Sequence, residues 1–201
     1  RNVIAHVKSP NDIFKGVFNL LKKNGIFIVE VPHLYSIIKE NQYDNIFHEH
    51  LGFHSLKSLV DLCNNNKLQL FDVEIINSQG GSLRCYISKE NDKRVVSKNL
   101  KKILYLEKKY KLFSVSRLKS FKSKIKKHIK KLNKLILKIK KDGSNISIYG
   151  ASGKGQALMQ FCKINNQLVD YVFDKSKIKQ GCYTPGTNIP ILNPNKIKSL
   201  K

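Results

Sequence analysis

Apolar and polar positions along the chain fall into blocks whose period changes from block to block. Over residues 10–23, Ile13, Val17, Leu20 and Leu21 recur at the three- and four-residue spacing of a helix face. Ser9 suits the cap of that helix, Pro10 its first turn and Asp12 the positive end of its dipole, and Asn24-Gly25 ends it. Residues 26–31 are an almost unbroken apolar run, the pattern of a strand buried on both faces, and Pro32 stops it. Residues 2–7 read as the end of another strand. Residues 33–54 lose all periodicity and hold four of the six histidines. Ser55 opens a helix to about Asn64. Residues 68–76 and 83–88 read as strands joined through Gln79-Gly80-Gly81 in a hairpin. Residues 94–141 return to a helical period, with Leu118, Phe121, Ile125, Ile129, Leu132, Ile136 and Ile139 on one face. Gly143 ends them. A strand over 146–149, a glycine-rich turn at 150–155, a helix to about Ile164 and a strand over 169–174 make one β-α-β unit. The last residues look like a helix just beginning.

The order of elements predicts an α/β protein: the second half of an α/β sheet with an antiparallel edge, then long helices, then a Rossmann-like unit. The expected divisions are 1–90, a helical connector over 91–143, and 144–201. Composition permits this, since 41% of the 201 residues are apolar and a packed core is affordable. No apolar run reaches the roughly 18 residues of a membrane span. The first residues lack the pattern of a secretory signal. Four separate cysteines, with no Cys-x-x-Cys, exclude an evident zinc ribbon and fit reduced thiols in the cytoplasm. The chain opens at Arg1 without an initiator methionine and inside an expected strand, so it is expected to be a fragment of a longer protein.

Charge changes the picture locally. The net charge is +24, and residues 91–143 hold 20 Lys or Arg against 3 acids. Such a helix is explained by a solvated lysine face or by a compositional bias toward Lys, Asn and Ile. Clustered cations also attract phosphates irrespective of sequence, which keeps a nucleic-acid or anionic-lipid surface open. Its aromatic residues, Phe113 and Phe121, lie with the apolar face and do not interleave with the lysines as base stacking requires.

Two motifs carry candidate chemistry. The turn Gly150-Ala151-Ser152-Gly153-Lys154-Gly155 follows a strand and opens a helix, where backbone amides suit a phosphate. Asp174 ends the next strand, the place of an acid that meets a ribose hydroxyl. The turn matches neither the Walker pattern nor Gly-x-Gly-x-x-Gly, and a ligand-free tight turn is the alternative. The second motif, Phe47-His48-Glu49-His50-Leu51-Gly52-Phe53-His54, sets three histidines and a carboxylate in a loop after a buried strand. An imidazole takes a proton near neutral pH and a carboxylate can orient it. A zinc pair at His50 and His54 and an ordinary polar loop are the rival readings.

These pieces, in order, resemble the sugar C-methyltransferases, class I enzymes that use S-adenosylmethionine on nucleotide-linked keto-deoxysugars. The resemblance rests on Asn2-Val3-Ile4-Ala5-His6-Val7, Val29-Glu30-Val31-Pro32, Tyr43 through His50, and Gly80-Gly81-Ser82-Leu83-Arg84. Tyr149 through Gly155, Tyr183-Thr184-Pro185-Gly186-Thr187 and Ile189-Pro190-Ile191 extend it. The family has an N-terminal zinc-binding domain, a methyltransferase domain and a C-terminal Rossmann-like domain. The resemblance implies that this chain holds the second half of the methyltransferase sheet and most of the third part. Zinc and the donor's glycine-rich loop would then belong to sequence upstream, the chain itself would bind no metal, and the isolated fragment would be inactive. The resemblance implies His50 as a base with Glu49 beside it, and His6 as a second active-site histidine. It places substrate contacts at Asn2, Phe47, Gly150, Ser152, Lys154 and Asp174, for a substrate expected to carry dTDP. A tyrosine commonly stands in the family where this chain has Phe47, and a histidine where it has Gln79. A Rossmann-like nucleotide-binding module without catalysis is the alternative reading.

Overall fold

A computed structural model describes residues 1–199. The chain is mixed α/β and divides into two units. One comprises residues 1–42 and 48–121, the other residues 43–47 and 122–201.

The first unit is built on a three-stranded sheet of β1 (Phe27–Pro32), β2 (Leu68–Ile76) and β3 (Ser82–Lys89). β3 lies between the other two and runs antiparallel to both. The antiparallel strand expected at an edge is therefore central, because the short turn after β2 folds β3 back into the gap beside β1. Register puts Val29 opposite Cys85 and Val31 opposite Leu83 on one side of β3, and Val73 opposite Cys85 on the other. Period-2 geometry sends these side chains to one face. There they join Phe14 of α1 (Pro10–Leu20), Leu56, Leu59 and Cys63 of α3 (Leu56–Asn64), and Leu100 and Ile103 of α4 (Lys98–Lys109) in one core. Phe14 is fully buried and meets Phe27 edge-on at 5.7 Å.

β1 is not buried on both faces as its apolar run suggests, since Ile28 is half exposed. On the face opposite the core, Glu30 is covered by Arg1 and Arg84, whose Nε atoms donate at 2.6 and 2.7 Å. Both guanidinium groups, Arg84 foremost, hold the Glu30 carboxyl below the usual carboxylate range. Residues 4–6 form a 3-10 turn instead of a strand end, with Asn2 in the left-handed region and its amide donating to the Glu30 carbonyl at 2.9 Å. A helix that the irregular 33–54 pattern hid, α2 (Leu34–Lys39), follows β1 directly. The turn between β2 and β3 needs its glycines: Gly81 has φ +112, and a Cβ there would come 2.7 Å from Ser36 Oγ.

The basic stretch is two helices, not one. α4 ends at Tyr110, Lys111 takes φ +53, Leu112 is buried in the turn, and Ser114 Oγ caps α5 (Val115–Lys141) by accepting the Arg117 amide. Along the 27 residues of α5, the inward positions include Ile129, Leu132 and Ile136, while most of the lysines stay exposed.

The second unit has a parallel three-stranded sheet of β4 (Ser147–Tyr149), β5 (Tyr171–Phe173) and β6 (Ile191–Leu192). α6 (Gly153–Cys162) crosses from β4 to β5, as the β-α-β reading requires, and β6 adds a third strand that the sequence pattern left unread. Met159, Cys162, Val169, Val172, Ile189 and Ile191 form its core with Ile136. Tyr43 belongs here, its hydroxyl 2.7 Å from His128 Nδ1. The closing residues make a 3-10 turn, Pro194–Lys198.

One buried carboxylate ties the first unit together. Glu107, 2% exposed, accepts from the Leu56 amide (2.6 Å), the Lys57 amide (3.1 Å) and His33 Nε2 (2.7 Å). The first two are orphan amides at the start of α3, where the helix dipole also favours an anion. His33 is fully buried at the end of β1. Removing the carboxylate strands all three donors. Glu107→Ala should destabilise the first unit by about 3–5 kcal/mol in urea unfolding, and a loss under about 1 kcal/mol would contradict this role.

Candidate functional site

The histidine loop and the 3-10 turn meet in the first unit. The carbonyl of Ala5 accepts the amides of Leu51 (2.7 Å) and Gly52 (3.1 Å). This fastening carries the rings of His6 and His50 together, edge to face at 4.9 Å between centroids. Phe53 adds a second edge-on contact to His50 at 6.1 Å. His6 is exposed and His50 half-buried, so the pair has an apolar backing and an open side. Glu49 and His48 are exposed on the same loop. Asn2 lies just before the turn, and its Oδ1 is buried without a partner among the described residues. The structure therefore brings together two of the residues read from the sequence, His6 and His50, while Asn2 lies four residues before His6 on the same segment.

His54 was read from the sequence only as the rival zinc partner of His50. Its ring bonds the backbone of Ile4, and burial holds its imidazole below the ordinary histidine range. Its own carbonyl accepts the Leu34 amide at 2.9 Å, and it bridges to His33 across the two segments. Glu107 was missed. A signal for it existed: it is the sole acid between Lys93 and Lys141, and it falls on the inward face of α4, four residues after Ile103. A lone acid on an apolar face in a basic helix has a partner to hold. Among the described residues no three His, Cys, Asp or Glu side chains gather as a metal site.

The second unit holds the other set. Gly150 has φ +97, and its amide donates to the Phe173 carbonyl at 2.7 Å. Ser152 caps α6 through the Gly155 amide at 3.1 Å. Asp174 does not stand free at the strand end. One carboxylate oxygen accepts the Ala151 amide (2.7 Å) and the other the Ser176 amide (2.8 Å), with Lys179 Nζ at 3.7 Å. Lys179 also donates to the Ala151 carbonyl at 2.7 Å. Asp174 thus fastens the turn from within. Phe47 lies against the same turn, since a Cβ on Gly153 would come within 3.4 Å of its ring. Lys154 follows in the first turn of α6.

The amides of Ser176 and Ala151, with Lys179, hold the Asp174 carboxyl below its usual range. The unfolded chain therefore takes up this proton first as pH falls, so the stabilisation is complete above about pH 4 and is lost through the lower folded value. Asp174→Asn should flatten the fall in urea midpoint between about pH 5 and pH 3. An unchanged acid slope would remove Asp174 as the fastener.

Two comparisons bear on identity. The profile of the C-methyltransferase C-terminal domain matches residues 77–201. The C-methyltransferase NovU of Streptomyces niveus is 31% identical over 196 residues, which cover 98% of this chain and 47% of that protein. The chain thus spans about half the length of that relative. With the α/β units and the ordered motifs, these matches place the chain in the C-methyltransferase family.

Proposed function

We propose that this chain supplies the acceptor side of an S-adenosylmethionine-dependent C-methylation, acting on a nucleotide-linked keto-deoxysugar that carries dTDP. The observation that supports this is the His6–His50 pair, two imidazoles held ring to ring on backbone bonds at an open surface. Carbon beside a ketone is a nucleophile only after it loses a proton. His50 takes that proton on a ring nitrogen, and the C–H electron pair moves into the new C=C bond as the carbonyl becomes an enolate. His6, beside it, donates a hydrogen bond to the enolate oxygen in this reading. Glu49, the residue before His50, is assigned the role of orienting its imidazole. Phe47 brings no hydroxyl, so this chain handles the acceptor without one at that position. Bound S-adenosylmethionine would supply an electrophilic methyl group to the enolate carbon. Gly150, Ser152 and Lys154, at the start of α6, are assigned to the substrate's phosphates, and Asp174 keeps their turn in shape.

A nucleotide-binding module without catalysis is the second reading, favoured by the parallel sheet and glycine turn of the second unit. Exchange of the substrate's C–H in deuterated water separates the two, because it reports proton removal without methyl transfer. In the protein as its gene encodes it, His50→Ala should slow exchange into a dTDP-4-keto-deoxysugar by about 10²–10⁴-fold. Exchange that persists in the variant removes His50 as base. Binding of dTDP with no exchange in the unaltered protein favours the module.

A further inference from the structure

We infer that His54 is a positioning residue that holds His50 against His6, an inference that rests on the reading of His50 as base. The ring of His54 bonds the backbone of Ile4, while its Nε2 is shut away from solvent with no partner among the described residues. The bonded nitrogen is therefore Nδ1, and it carries the proton, because the carbonyl it meets only accepts. Ile4 opens the 3-10 turn that bears His6. Ala5, the next residue, accepts the amides of Leu51 and Gly52. The loop from His50 to His54 is thus fastened at two successive carbonyls of that turn, and His54 is the side-chain fastener.

The other side of position 54 is fixed too. Its carbonyl accepts the Leu34 amide, and its backbone bridges to His33, whose ring is locked by Glu107. His54 consequently joins the His6 turn to the junction of β1 and α2. The fit around the ring is close: a Cβ on Gly52 would come 3.2 Å from His54 Nε2. Gly52 has an ordinary φ, so alanine there strains no backbone and pushes only on the imidazole. Burial disfavours the charged form of the His54 ring, which suits a single N–H donor.

Three variants in the protein as its gene encodes it test this. His54→Leu removes the donor, Gly52→Ala displaces the ring, and His54→Asn keeps a donor where Nδ1 stands. Two measurements are made on each: kcat and KM for methyl transfer to a dTDP-4-keto-deoxysugar, and the NMR titration of the His6 and His50 imidazoles. His54→Leu and Gly52→Ala should lower kcat by about 10- to 100-fold with KM little changed, as for a displaced reacting group. In both, the His50 titration should move, and His54→Asn should restore it and the rate. A His50 titration identical in all three variants overturns the inference, as does equal damage from Leu and Asn. Should the unaltered protein methylate nothing, the reading of His50 as base fails, while the imidazole titrations still decide whether His54 positions it. If His54→Leu does not fold, Gly52→Ala carries the same test.

Discussion

The first unit depends on a carboxylate buried where three elements meet. Glu107 reaches from α4 to the two leading amides of α3 and to the imidazole that ends β1. Each of these donors would be costly to bury alone, and together they give both carboxylate oxygens a partner. Removing any one partner of such a buried group leaves the others uncompensated. It fixes where α3 starts relative to β1, and so the span of the loop that must close between them. That loop carries His50.

Much of the frame was legible in the sequence. Ser9-Pro10 and Ser55 mark helix starts that the structure keeps, the Gly150–Gly155 turn opens α6 as read, and Gly80-Gly81 marks the turn between β2 and β3. What escaped was decided by contacts distant in sequence. Residues 4–6 have strand-like composition, yet Asn2 in the left-handed region and the bond to Glu30 turn them into a 3-10 turn. α2 spans only Leu34–Lys39 and lies in a segment rich in aromatic and polar residues, so no period announces it. The break between α4 and α5 rests on one residue, Lys111, in a conformation its side chain does not advertise. Ile28 shows the converse: an apolar run promises two buried faces, yet this side chain is half exposed.

The candidate site was legible in part for the same reason. His6 and His50 stand 44 positions apart, each in a motif that the sequence alone makes visible. The pairing itself depends on Ala5 accepting two amides, which no local pattern encodes. Asp174 was found at its expected place after β5, but its oxygens serve the turn from within. Phe47 and His50 are three residues apart in sequence and fall in different units, so the loop divides between two packing environments. The lysines of α5 need no ligand to explain them, since the apolar face packs inward and the charges remain in water.

The account turns on Glu107 supporting the histidine loop as well as α3. Amide hydrogen exchange in the unaltered chain and in Glu107→Gln reads this directly. The account predicts that protection falls at Leu56 and Lys57, and also at Leu34, Leu51 and Gly52, whose amides bond the segments around His6 and His54. Loss of protection confined to Leu56 and Lys57 would contradict it, leaving Glu107 as the cap of one helix and nothing more.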